Sequence, residues 1–255
     1  MPVELTKIDD CALLRLNRPE ALNALSFSVL REISNALTEV AEWKVRALIV
    51  TGAGDKAFCA GADIKELGAR SLIECKRGAE LGQAAFAMLD RLPFASVAAI
   101  NGFAFGGGLE LALACTFRVG TPSVKLGLPE IKLGLIPGYG GTQRLPRLIG
   151  EARAMEMIMF GRTVGAEEAA RIGLLHRIVE GEVVEAALSF AHEFTSFSLL
   201  AQGFAREAVS RALDVPLHEG LKIEADLSTL AYATADAAEG MAAFVEKRKP
   251  EFKDA

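Results

Sequence analysis

Apolar positions along this chain follow strand-like and helical patterns in alternation, and only the helical pattern continues near the end. Cys11, Leu13, Leu14 and Leu16 predict an early strand, which Asn17-Arg18-Pro19-Glu20 breaks. Ser26 is then a candidate N-cap, and Leu30, Ile33, Leu37, Val40 and Ala41 recur at helical spacing to give one buried face. Two apolar runs, Ala47–Val50 and Val97–Ile100, read as buried strands because they end in the turn sequences Thr51-Gly52-Ala53-Gly54 and Asn101-Gly102. Between them the alanine-rich stretch Gly68–Leu92 predicts a helix, and a further helical run spans Leu109–Ala114. From about Val183 the strand-like runs stop, and helices are predicted at Val183–Phe194, Leu199–Leu213, Leu217–Tyr232 and Asp236–Lys247. Strands alternating with helices mark an α/β chain in which helices cover the strands. The change of pattern near Ser196–Ser198 divides a core of residues 1–196 from a helical region 197–255.

Composition narrows the function. With 255 residues, 51% of them hydrophobic, the chain can bury a sizeable core. Its formal charge of −5 opposes a broad nucleic-acid footprint, so an anionic ligand must be met locally. The four cysteines, Cys11, Cys59, Cys75 and Cys115, are widely spaced and suggest neither a zinc site nor a disulfide framework. A reducing cytoplasm fits this usage, and the first residues carry no secretory pattern. The longest weakly charged stretch, Val97–Phe117, contains Asn101, Glu110 and four glycines, which makes it a poor membrane span.

The most distinctive segment is Asn101-Gly102-Phe103-Ala104-Phe105-Gly106-Gly107-Gly108-Leu109-Glu110, between a predicted strand and a helix. Three glycines at a helix start leave backbone N–H groups open to a ligand oxygen, and the helix dipole adds about half a positive charge there. The same glycines also suit a tight turn packed on another backbone. Glu110, among Leu109, Leu111, Ala112 and Leu113, is either a helix-terminus charge or a carboxyl desolvated for proton transfer. Glu130, in Leu126-Gly127-Leu128-Pro129-Glu130-Ile131-Lys132, admits a similar choice between an acid/base group and a loop carboxylate paired with Lys132. Asp63, in Phe58-Cys59-Ala60-Gly61-Ala62-Asp63-Ile64-Lys65, suits a helix cap, and Gly138-Tyr139-Gly140-Gly141 suits a turn. His176, His192 and His218 lie far from any Ser or Cys nucleophile motif, and no metal-ligand spacing or dinucleotide fingerprint occurs.

Taken together, these segments resemble the crotonase superfamily, and its enoyl-CoA hydratase branch most closely. The resemblance runs through Leu16-Asn17-Arg18-Pro19 and Asn23-Ala24-Leu25, Ala60–Lys65, Asn101–Leu111, Pro129–Thr142 and Phe244-Val245-Glu246-Lys247-Arg248, in that order. It implies a spiral of ββα turns followed by a helical part that builds homotrimers, commonly paired into hexamers. It also implies that Glu110 and Glu130 form an acid/base pair, that the N–H groups of Ala62 and Gly107 form an oxyanion hole, and that Gly138 helps hold the attacking water. Ala24, Ala60, Ala62, Asp63, Ile64, Lys65 and Gly107 are expected along the CoA and substrate path. Lys247 is expected at the CoA 3′-phosphate, often across a subunit boundary. Coenzyme A enters as part of the substrate, and no separate cofactor or metal is expected. Within the superfamily the alternatives are an isomerase or a specialised acyl-CoA dehydratase. From other classes they are an RNA-binding protein, which the acidic balance opposes, and a purely structural trimer, which leaves two glutamates unexplained.

Overall fold

The N-terminal strands β1 (Val3–Ile8) and β2 (Cys11–Leu16) pair antiparallel, with Val3 opposite Leu16 and Ile8 opposite Cys11. They open a computed structural model that describes residues 1–68 and 70–255 and divides into two compact units, Met1–Ser189 and Phe190–Ala255. The alternation around Cys11 predicts β2; β1 escapes that reading because it is an edge strand with polar, partly exposed positions. Helix α1 (Phe27–Ala41) starts where expected, with the Ser26 hydroxyl accepting the Val29 N–H, and it buries Leu30, Ile33, Leu37 and Val40.

The chain then repeats one manoeuvre three times. β3 (Ala47–Gly52) enters a large sheet and β4 (Ala57–Cys59) a small one, before α2 (Ile64–Leu67) and α3 (Leu72–Asp90). β5 (Ala95–Ile100) and β6 (Phe103–Phe105) do the same before α4 (Gly107–Ala114). β7 (Phe117–Gly120) and β8 (Lys125–Gly127) follow, leading through a 3-10 turn at Glu130–Leu133 into α5 (Gly141–Ile149). The first unit continues with α6 (Glu151–Phe160), β9 (Thr163–Gly165), α7 (Ala166–Arg171) and β10 (Arg177–Ile178), and α8 (Val183–Thr195) runs into the second. This is the expected spiral of ββα turns. The helix expected at Gly68–Leu92 is α3, and Ala69 within that stretch lies outside the described residues.

The large sheet has the order β1-β2-β3-β5-β7-β10 and the small one β4-β6-β8-β9. All six positions of β3 and of β5 are buried, which is why both read as continuous apolar runs: a central parallel strand has no solvent face. In the small sheet β4, β6 and β8 are parallel neighbours. Their C-terminal ends therefore lie side by side, and the chain leaves them through Ala60–Asp63, Gly106–Gly107 and Leu128–Glu130. One sheet edge thus gathers three segments that are far apart in sequence.

The second unit contains α9 (Leu199–Arg211), α10 (Leu217–Tyr232) and α11 (Ala235–Glu246), all close to the expected helices. Ser198 and Thr234 cap α9 and α11. Buried Asp236 pins the C-terminal residues by accepting the N–H groups of Lys253 and Asp254 at 2.7 and 3.0 Å. No helix among the described residues is long and apolar enough to cross a membrane.

Candidate active site

Gly106 opens α4 with φ +50°, a conformation that L side chains rarely adopt. A methyl group there would also lie 2.8 Å from Glu130 Oε1, so the carboxyl of the 3-10 turn lies against the start of α4. Glu110 is the fourth residue of that helix, with its N–H bonded to Gly106 O at 2.9 Å and only 1% of its surface exposed. Its Oε1 accepts two backbone N–H groups, from Tyr139 at 2.8 Å and from Gly141 at 2.7 Å. The glycine-rich segment that suited a simple turn is therefore a donor cradle for this carboxylate. The Tyr139 ring closes one side, edge-on to Phe86 of α3 at 5.8 Å and against Gly82 and Gly107.

Electrostatics follow from this enclosure. Burial pushes the Glu110 carboxyl up to about 7 and nearby Glu130 acts in the same direction, while the two N–H donors and the Arg144 charge oppose the rise. Burial also raises Glu130, whose Oε2 is buried with no hydrogen-bond partner. An orphaned oxygen of this kind is tolerated more readily on a neutral carboxyl than on an anion. Two carboxyls that both resist ionisation can exchange roles as proton donor and acceptor near neutral pH.

The Ala60–Asp63 segment is held by backbone pairing with the Leu22–Leu25 loop. Ala60 N–H donates to Leu22 O, Leu25 N–H to Gly61 O and Asp63 N–H to Leu25 O, at 3.0, 2.8 and 2.9 Å. Among the described residues, the N–H groups of Ala62 and Gly107 have no hydrogen-bond acceptor. A methyl group on Gly61 would lie 3.6 Å from the Gly107 nitrogen, which fixes how closely the two segments approach. Two unoccupied N–H groups on neighbouring segments, one at a helix start, are suited to an oxygen that gains negative charge.

The other expected residues are spread more widely. Ala24 and Ala60 are half-buried, and Ile64 and Lys65 are exposed on the short α2. Asp63 occupies the N-cap position of α2 without capping it; its carboxylate faces Arg18 at 3.5 Å, and Arg18 in turn holds Ala24 O at 2.9 Å. Gly138 precedes Tyr139, and its carbonyl accepts from Gln83 of α3 at 2.9 Å. Lys247 belongs to the second unit, where it ends α11, exposed and with φ +55°. His176 packs edge-on against Phe117 and accepts the Arg118 N–H, as befits a packing histidine. Sequence reasoning missed the donors Tyr139 and Gly141 and the two arginines, Arg18 and Arg144. Backbone donors leave no residue-type signature, and each arginine resembles an ordinary surface cation in sequence.

The chain is similar to known proteins over nearly its whole length. The family model described as "Enoyl-CoA hydratase/isomerase" matches residues 7–255. A probable enoyl-CoA hydratase of Rhizobium meliloti is 46% identical over 242 residues, covering 94% of this chain and 93% of its own. The crotonyl-CoA hydratase of Syntrophomonas wolfei is 41% identical, with coverages of 97% and 96%. The crystal structure of an enoyl-CoA hydratase from Bacillus anthracis superposes over the whole of both chains with a TM-score of 0.95 at 41% identity. The fold is thus shared with hydratases over its full length, and the chain belongs to the enoyl-CoA hydratase/isomerase family.

Proposed function

We propose that this protein adds water reversibly to trans-2-enoyl-CoA thioesters, giving 3-hydroxyacyl-CoA, and that Glu110 and Glu130 are its acid/base pair. The observation that carries this reading is the convergence of two desolvated carboxyls on a helix start whose Gly107 N–H, like that of Ala62, is unoccupied. The thioester oxygen would sit between those two N–H groups. Glu110 Oε1 is taken by its two backbone donors, which leaves Oε2 to accept a proton from water held beside Gly138. The water oxygen bonds to C3, the C2–C3 π pair shifts to join C1 and C2, and the carbonyl π pair moves onto the thioester oxygen as an enolate. The carbonyl then re-forms as the C1–C2 π pair takes the proton of Glu130 at C2. Loss of one oxyanion donor typically costs about 10²–10³ in rate. Each proton transfer contributes about 10²–10⁴.

Ala24, Ala60 and Ala62–Lys65 suit the CoA path, with Lys65 exposed beside it and Lys247 assigned to the 3′-phosphate. Coenzyme A enters and leaves as part of the thioester, whose C–S bond stays intact, and the mechanism uses no further cofactor. We place residues 1–196 as the catalytic core, residues 197–255 as the region that joins copies into trimers or pairs of trimers, and the protein in the cytoplasm, which four free thiols suit. Loss of enoyl-thioester absorbance from crotonyl-CoA, without added metal or nicotinamide, tests the activity. Glu110→Gln and Glu130→Gln are each expected to lower kcat by at least about 10², and the double variant by much less than the product. Wild-type turnover by Glu110→Gln would reject the mechanism in favour of an isomerase that uses Glu130 alone.

A further inference from the structure

Arg144 stands behind the Glu110 cradle without belonging to it. It lies in the first turn of α5, and its Nη1 donates to the Tyr139 carbonyl at 3.2 Å while its Nη2 faces Asp90, the last residue of α3, at 3.7 Å. The Tyr139 N–H, on the same residue, is one of the two donors to Glu110 Oε1. The intervening Gly140 has φ +115°, and a methyl group there would collide with Arg144 Nη1, so the guanidinium occupies the space a side chain would take. Arg144 thereby restrains the Tyr139–Gly141 loop at two adjacent residues: it holds Tyr139 by its carbonyl and packs against Gly140.

We propose that Arg144 is a positioning residue that holds the Tyr139–Gly141 donor loop on Glu110 and keeps this carboxyl able to act as a base near neutral pH. The inference rests on the hydratase reading for its kinetic consequence, but the geometry is independent of it. The charged groups acting on Glu110 are Glu130 from the 3-10 turn, which resists its ionisation, and Arg144 from α5, which favours it. Of the other elements packed against α4, β6 brings no titratable group, and β4 brings the Cys59 thiol, which burial pushes up to about 12 and keeps neutral. From α3 only Asp90 enters this network, through Arg144. The Tyr139 phenol is raised by burial and stays protonated. Among the described residues Arg144 is thus the cation that acts on Glu110; the buried Arg118 of β7 also meets α4, but it donates to Ala112 O near the far end of that helix. Arg144 acts through two routes of the same sign, its charge and the loop it restrains.

Two variants separate the routes. Arg144→Met removes both the charge and the tether; Arg144→Gln removes the charge and keeps a donor for the Tyr139 carbonyl. The Glu110 carboxyl is titrated directly by carbon-13 NMR of glutamate-labelled protein, its resonance identified by its loss in Glu110→Gln. In parallel, the acid limb of kcat/KM for crotonyl-CoA is followed against pH. Both variants are expected to move the Glu110 titration upward by roughly half to one unit, with Arg144→Met the larger. The acid limb should move with it, which is a loss of about 3- to 10-fold on the acid side that disappears at high pH. Arg144→Lys, which keeps the charge, should stay near wild type. An unmoved Glu110 titration in folded Arg144→Met or Arg144→Gln overturns the proposal whether or not crotonyl-CoA is turned over. Failure of the wild type to hydrate crotonyl-CoA overturns the hydratase reading instead and leaves the carboxyl titration to decide the role of Arg144.

Discussion

The N–H of Gly141, the first residue of α5, donates to Glu110 Oε1 at 2.7 Å, so a carboxyl carried near the start of one helix rests on the positive end of the next. This contact favours the anion, yet burial outweighs it and leaves Glu110 near 7 rather than at its ordinary 4.5. The consequence is a stability that depends on pH. A carboxyl raised in the folded state binds its proton more tightly there than in the unfolded chain. Its contribution is complete below about pH 4.5 and lost as pH rises through 7, an amount of roughly 3 kcal/mol. Glu110→Gln keeps the acceptor oxygen and removes the charge. Chemical denaturation should find this variant close to wild type at pH 4.5 and more stable at pH 8.5. A difference that stays constant across that range would show that Glu110 is not raised.

Gly106 tests whether the helix start is built for function or for packing. Alanine there meets both a φ of +50° and the Glu130 carboxyl, 2.8 Å from the added carbon. The strained backbone should cost about 1–3 kcal/mol. Displacement of Glu130 should lower kcat by about 10-fold or more, since errors of an ångström at reacting groups are costly. Gly173→Ala is the control, because Gly173 has φ +81° but open space around it. It should lose stability without losing kcat. Equal activity losses in the two variants would remove the special link between Gly106 and Glu130.

The parts of the site that were legible in the sequence are those written in side chains. Glu110 and Glu130 stand out as carboxyls in apolar company, and the Gly106–Gly108 run announces a helix start with bare N–H groups. The strands β3 and β5 are legible for the same reason, since burial on both faces makes a run of apolar residues. What fails to register is whatever the fold assembles from backbone. The donors of Tyr139 and Gly141 could belong to any residue, and the shared edge of β4, β6 and β8 exists only once the strands pair. Asp63 shows the opposite failure: its residue type suits an N-cap and it sits at one, but Arg18, distant in sequence, takes its carboxylate.

Assembly is the next expectation. Leu217, Leu221 and Leu230 of α10 are 79, 54 and 54% exposed, and a single copy leaves this apolar surface in water. Light scattering at micromolar concentration should give the mass of a trimer or of two trimers. A monomer would end this reading of residues 197–255. Leu217→Glu combined with Leu221→Glu should reduce the mass while the helix content holds.

Lys247 gives the last test, because its backbone and its proposed role make opposite demands. It ends α11 in the left-handed conformation, φ +55°, with its N–H bonded to Phe244 O at 3.3 Å. Glycine is the residue that favours this position, and a side chain there costs about 1 kcal/mol. Lys247→Gly should therefore leave stability unchanged or improve it by roughly 0.5–1 kcal/mol. If the ammonium meets the CoA 3′-phosphate, the same change should weaken binding of an acyl-CoA by roughly 10-fold or more, as loss of a charge-assisted hydrogen bond does. Binding of the dephospho-CoA ester, which lacks that phosphate, should change little. Isothermal titration of wild type and Lys247→Gly with both ligands gives the ratio directly. Equal weakening of the two ligands, or of neither, would take Lys247 away from the 3′-phosphate. A less stable Lys247→Gly would show instead that the lysine stem packs on α11 and that the left-handed cap carries no strain to relieve.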